Sequence, residues 1–381
     1  MDASVNRIPS SEDERSLLLA IKLKSDDSDS VKYSLDELKM LVKTAGGITV
    51  DSRIVNREKY DASYIIGKGF LEELKNIIIE NGIKLIVFDL NNIRPAQVRN
   101  LEEALKIRVI GRTEIILDIF ARRARSNEAM IQVELAQLNY ILPRLKGLGG
   151  VLSRLGGGIG TRGPGEKMLE TDRRHILKRI NTLQNKLKKI QKHRSLTRQT
   201  RKKTFHGAVA GYTNAGKSTL INCLAKDDLF VENRLFATLD SYTRTVFLNR
   251  SLNTLLTDTV GFIRNLPANL IESFRSTLEE ISFADYILHV VDISAEEIEE
   301  NIKTVEKELI QLEAIEKPII LFFNKCDLVN ESKINSILTR YPNAVIGSAI
   351  ENTGLTELKN TMINVYIENF ESIYDYSRKY N

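Results

Sequence analysis

Residues 211–218 read Gly-Tyr-Thr-Asn-Ala-Gly-Lys-Ser. Glycines, a lysine and a serine at this spacing let backbone N–H groups curl around phosphate oxygens. They do so between the end of a strand and the start of a helix. Val209-Ala210 before the loop reads as a strand, and Ser218–Ala225 after it reads as a helix. The loop therefore demands an α/β sheet with a phosphate cradle at a helix N-terminus. Gly211, Tyr212, Thr213, Asn214, Ala215, Gly216, Lys217, Ser218 and Thr219 are the phosphate-binding candidates. Lys217 should reach the β- and γ-phosphates, and Ser218 should ligate Mg2+.

Further motifs follow in a fixed order. Asp258-Thr259-Val260-Gly261 closes a second strand. A carboxylate there can hold Mg2+ through a water, and the Gly261 amide can bond a γ-phosphate. Thr238 lies where a threonine can complete the Mg2+ shell, with Thr243 and Thr245 as nearby competitors. Asn324-Lys325-Cys326-Asp327 follows the strand Ile319–Phe323. Asp327 can accept hydrogen bonds from guanine N1–H and the 2-amino group, a donor pair that adenine lacks. Lys325 can lay its stem along the base, and Ser348-Ala349 can place a backbone N–H on guanine O6. Lys217, Gly261 and Thr238 are the catalytic candidates. Asp258, Asn324, Lys325, Asp327, Ser348 and Ala349 complete the nucleotide set, and Ser218 and Thr238 are the Mg2+ ligands. Phe262 stands where many GTPases carry a water-orienting glutamine, so intrinsic turnover should be slow until a partner orders the site.

The chain has 381 residues, enough for two or three domains. Residues 1–15 read as a flexible tail. Over 16–127, apolar runs at Leu17–Ile21, Leu85–Phe88 and Val109-Ile110 alternate with helical patterns at Leu35–Val42, Leu71–Ile79 and Ala96–Leu105. This rhythm predicts an N-terminal α/β domain. Over 128–203, Ile131, Leu135, Leu138, Leu142 and Leu145 are spaced as heptads, as are Ile176, Ile180, Leu183, Leu187 and Ile190. That spacing predicts either an antiparallel helical hairpin or two helices covering a globular core. Pro143 should kink or end the first helix. Between them, Lys146–Gly165 holds nine of the 21 glycines. It reads either as a linker or as a loop built for close approach to another backbone or a phosphate chain.

Thr171–Lys203 carries thirteen Lys and Arg against Asp172 alone. With the apolar seam on one side, this leaves a positive stripe suited to nucleic acid. The α/β rhythm resumes over 204–370, with six strands read at Val209-Ala210, Val246–Leu248, Leu255-Leu256, Ile287–Val291, Ile319–Phe323 and Val345-Ile346. That is a doubly wound, mostly parallel nucleotide-binding domain, followed by a tail at 371–381. The net charge of +5 is small, and two isolated cysteines fit a reducing compartment. No apolar run approaches membrane-spanning length. The expectation is a cytoplasmic protein, monomeric when free, without stable membrane insertion but with a peripheral membrane fraction as an alternative.

Gly156–Glu166 and Leu169-Glu170-Thr171-Asp172-Arg173-Arg174 resemble the signature of the HflX family of translational GTPases. So do Phe236–Asp240, Asp258–Arg264 with Leu266-Pro267, and Phe274-Arg275 with Thr277–Glu280. The resemblance runs from about Ile83 to Leu355 and includes Arg112-Thr113-Glu114. It implies GTP hydrolysis coupled to the large ribosomal subunit and its RNA, with ribosome splitting or rescue in some members. The glycine loop would then approach ribosomal RNA. Ser241-Tyr242 and Lys167-Met168 depart from the family pattern. Asn214 stands where related GTPases help to hold K+; its alternative role is to stabilise the loop turn. Two other functions stay open: a GTP-switched factor acting on ribosome assembly intermediates, and a membrane-associated GTPase.

Overall fold

The computed structural model describes residues 14–152, 164–201, 204–225, 235–236, 239 and 242–370. Thr238, most of the glycine-rich loop and both tails lie outside these residues. Two compact units result.

The first unit holds β1 (Arg15–Leu23), α1 (Ser28–Thr44), β2 (Ile48–Arg57), α2 (Lys68–Asn81), β3 (Leu85–Phe88), α3 (Pro95–Leu105), β4 (Arg108–Gly111) and α4 (Arg112–Arg123). The four strands form a parallel sheet in the order β2-β1-β3-β4. β1 and β3 are central, so their apolar runs are buried without alternation, as parallel strands covered on both faces require. β2 lies at the edge and buries only Val55. Its many polar residues left it unread in the sequence.

Two long helices follow, α5 (Asn127–Leu152) and α6 (Pro164–Arg201). Of the expected seams, Ile131 and Leu135 on α5 and Ile180, Leu183 and Leu187 on α6 are buried, while Leu138, Leu142, Leu145, Ile176 and Ile190 are half-buried. Arg179 on α6 forks onto Glu134 on α5 at 2.6 and 2.8 Å. Pro143 does not end α5, which runs on to Leu152. Pro143 is exposed, so the backbone carbonyl it leaves over can tilt toward water.

The second unit holds β5 (His206–Gly211), α7 (Lys217–Ala225), β6 (Thr243–Phe247), β7 (Asn253–Asp258), α8 (Ala268–Phe283), β8 (Tyr286–Asp292) and α9 (Ile298–Gln311). It continues with β9 (Ile319–Asn324), α10 (Glu331–Arg340), β10 (Val345–Ile346) and α11 (Leu355–Asn369). All six strands match the expected set. The sheet order is β10-β9-β8-β5-β7-β6, parallel except for the β6–β7 pair. β5 lies between β7 and β8, so the chain reverses its direction of winding there. In open α/β sheets, ligands bind at this switch point, beyond the carboxyl ends of the strands.

His289 sits in the middle of β8 and is 2% exposed. Burial, aided by the Lys217 charge, pushes its pKa down to about 3. The unfolded chain then binds a proton near pH 6.5 that the folded chain refuses. Stability should therefore fall as pH drops from 6.5 toward 3, by roughly 2 kcal/mol at pH 5. Urea midpoints at pH 7 and pH 5 test this: His289→Leu should flatten the difference, and an unaltered slope would contradict it.

Candidate nucleotide site

The carboxyl ends of five parallel strands deliver the site. Gly211 ends β5, Asp258 ends β7, Asp292 ends β8 and Asn324 ends β9, while Ser348 lies two residues past β10. The loop after β5 turns sharply at Asn214 (φ 63°) and Gly216 (φ 91°). Asparagine tolerates this left-handed conformation better than most residues, so Asn214 has a structural reason to be there. A methyl group on Gly216 would come within 2.2 Å of Asn324 Nδ2.

Lys217 opens α7 and is buried, at 6% exposure. Its Nζ donates to the carbonyls of Gly211 at 3.1 Å and Tyr212 at 2.9 Å. Burial lowers its pKa to about 8, partly opposed by the Asp258 charge. Ser218 Oγ donates to Asp258 Oδ2 at 2.5 Å. A hydroxyl and a carboxylate brought together this way form a hard-oxygen donor set suited to Mg2+. Among the described residues no group of three or more His, Cys, Asp and Glu could hold a metal ion. The ion would thus depend on nucleotide phosphates as well as on these two residues, as is usual for Mg2+.

The guanine side is organised by Asn324. Its Nδ2 donates to Ala215 O and its Oδ1 accepts from Ala349 N–H, both at 2.9 Å. One buried amide thus joins the phosphate loop to the segment after β10. Lys325 takes a left-handed conformation (φ 67°), and its Nζ bonds Asp292 Oδ2 at 2.6 Å. Asp327 stands exposed in the short turn Cys326–Leu328. The Ser348 N–H is held by Thr353 O at 3.1 Å and Thr353 Oγ1 at 3.0 Å. Both amides proposed for guanine O6 are therefore engaged within the protein. Asp292 and Thr353 escaped the sequence reading. Asp292 carries a signal, since it ends a buried strand that is apolar apart from His289; the role of Thr353 depends on a loop closure that no spacing reveals.

The structure brings Lys217, Ser218, Asp258, Gly261 and Asn324 together. A methyl on Gly261 would lie 2.8 Å from Thr213 Cα and 2.9 Å from Lys217 Nζ. Phe262, 2% exposed, packs with Ala208, Ala210, Leu278 and Ile281.

A phosphate cradle at the switch point of a parallel sheet, joined to an Asn-Lys-x-Asp turn, defines a P-loop GTPase. Family models agree along the chain: "GTP-binding GTPase N-terminal" over residues 32–121, "GTP-binding GTPase Middle Region" over 123–201 and "50S ribosome-binding GTPase" over 206–325. The chain belongs to the HflX family of GTPases. It is 51% identical to GTPase HflX of Caldanaerobacter subterraneus over 83% of this chain and 73% of that protein. It is 47% identical to GTPase HflX of Lacrimispora saccharolytica over 96% of this chain and 86% of that protein. The solved complex of SsGBP with GDP shares the fold at a TM-score of 0.50 and 23% identity, covering 93% of this chain and 99% of that one.

Proposed function

We propose that this GTPase works on the large ribosomal subunit and uses GTP binding and hydrolysis to set its hold on ribosomal RNA. One observation carries the RNA side of this reading. α6 buries Ile180, Leu183 and Leu187 while Lys178, Lys186, Lys188, Lys189 and Lys192 remain exposed. A helix with one apolar and one basic side presents an electrostatic footprint for phosphates. The family model whose description names the 50S ribosome supports the same partner. Rescue or splitting of stalled ribosomes is the finer form of the proposal.

In the hydrolytic step, Lys217 and the loop amides stabilise charge on the transferring phosphoryl group. Mg2+ held at Ser218, with Asp258 behind it, would neutralise the β- and γ-phosphate oxygens. Phe262 is buried and has no polar atom with which to orient the attacking water. Intrinsic hydrolysis is then slow, and the ribosomal partner supplies or orders the missing group.

The test is GTP hydrolysis with and without purified large subunits at two salt concentrations. Stimulation of ten-fold or more that weakens with salt is the expected result, and Lys217→Ala should abolish it. Normal GTP binding without stimulation would overturn the ribosomal reading and favour another RNA or a membrane. Exchanging K+ for Na+ in the same assay separates the two roles of Asn214.

A further inference from the structure

Three hydrogen bonds zip the Asp258–Arg264 limb onto the phosphate loop. Phe262 N–H donates to Gly211 O at 3.1 Å, Thr213 N–H to Phe262 O at 2.7 Å, and Arg264 N–H to Tyr212 Oη at 2.9 Å. The first two make a parallel bridge between Tyr212 and Phe262. This bridge prolongs the β5–β7 ladder beyond its last strand pair. The third is a side-chain bond, so it alone can be deleted by substitution. The Arg264 guanidinium is ion-paired with Glu297, the residue before α9, which anchors the far end of the limb.

The zip has a steric consequence. Gly261 lies so close to the loop that a methyl on it would overlap Thr213 Cα and Lys217 Nζ. Carbon atoms in contact stand about 3.5–4.0 Å apart. A γ-phosphoryl group bonded by both Lys217 Nζ and the Gly261 amide is larger than a methyl. On this reading such a group would press the limb away from the loop, whereas a β-phosphate held over the loop from Asn214 to Ser218 would leave the zip closed.

From this we infer that Tyr212 is a specificity-determining residue: its hydroxyl holds the limb in the position that favours GDP over GTP. A ligand that must displace the limb binds more weakly by the cost of unzipping. Deleting one bond of the zip returns part of that cost to the triphosphate and none to the diphosphate.

Tyr212→Phe keeps the ring and removes the hydroxyl. Competition against a fluorescent GDP, using GDP and a non-hydrolysable GTP analogue, gives the affinity ratio. The ratio should shift toward the triphosphate by about five-fold, the scale of one ordinary hydrogen bond. An unchanged ratio, or a shift toward GDP, would overturn the assignment. Amide exchange on the unsubstituted protein gives an independent answer should the variant not fold. The Phe262 and Arg264 amides should exchange at least ten-fold faster with the GTP analogue than with GDP. Equal protection in the two complexes would sink the inference by itself.

Discussion

Asn324→Ala is expected to weaken GDP and GTP binding alike, by about 100-fold or more. The side chain is 2% exposed and serves two backbone groups at once, Ala215 O and the Ala349 N–H. Alanine leaves both buried without a partner. Each orphaned group costs about 1–3 kcal/mol, and 1.4 kcal/mol is a factor of ten in affinity. The loss falls where it matters most, because Ala215 lies within the phosphate loop and Ala349 within the guanine segment. Both halves of the site loosen together, so no nucleotide escapes the effect. Asn324→Asp distinguishes the two halves. It keeps an acceptor for Ala349 but sets a carboxylate against the Ala215 carbonyl, so phosphate contacts should suffer more than base selection. Titration of a fluorescent GDP reads both variants. Weakening of less than about five-fold by Asn324→Ala would mean that the two loops hold their positions without it.

This bridging role was not visible in the sequence, although the residue itself was. Motif spacing identified Asn324 as a nucleotide residue because Asn-Lys-x-Asp after an apolar strand is a strong local pattern. It could not show that the side chain faces the phosphate loop more than a hundred positions earlier. The same division holds throughout. Central strands such as β3 were legible because burial on both faces demands unbroken apolar runs. Edge strand β2 was not, because its half-exposed faces carry Asp51, Ser52, Arg53 and Asn56. α4 went unassigned although Ile115, Ile116, Ile119 and Phe120 recur at helical spacing and are buried; its start abuts β4 directly, and the Glu114 carboxylate that takes up the Gly111 N–H there at 3.0 Å does not by itself mark a helix in the sequence. The Tyr212 bond was illegible for a different reason. A tyrosine in a phosphate loop has no fixed partner, and its hydroxyl acts through where the loop points it.

The other large effect lies in the first unit. Arg112→Leu should destabilise that unit by about 3–5 kcal/mol, the usual consequence of removing one member of a buried ionic cluster. Arg112 is 1% exposed. Its Nη1 donates to Asp89 Oδ1 at 3.0 Å, and its Nη2 bonds the equally buried Glu37 carboxylate. Burial alone would lower the guanidinium pKa; the charges of Glu37 and Asp89 outweigh it and raise the value. The cluster joins α1, the end of β3 and the start of α4. Leucine fills part of the volume but leaves two carboxylates buried with no cation, and they can relax only by taking up protons or admitting water. Arg112→Lys should recover little, since an ammonium cannot fork onto two carboxylates held apart by the fold. Replacing Glu37, Asp89 and Arg112 together by apolar residues should recover most of the stability, because the cost arises from unmatched charge rather than from lost attraction. Urea unfolding of the three variants decides between these causes. If the triple variant is no more stable than Arg112→Leu, the cluster contributes by its shape and its bonds, and charge balance is not the reason it is there.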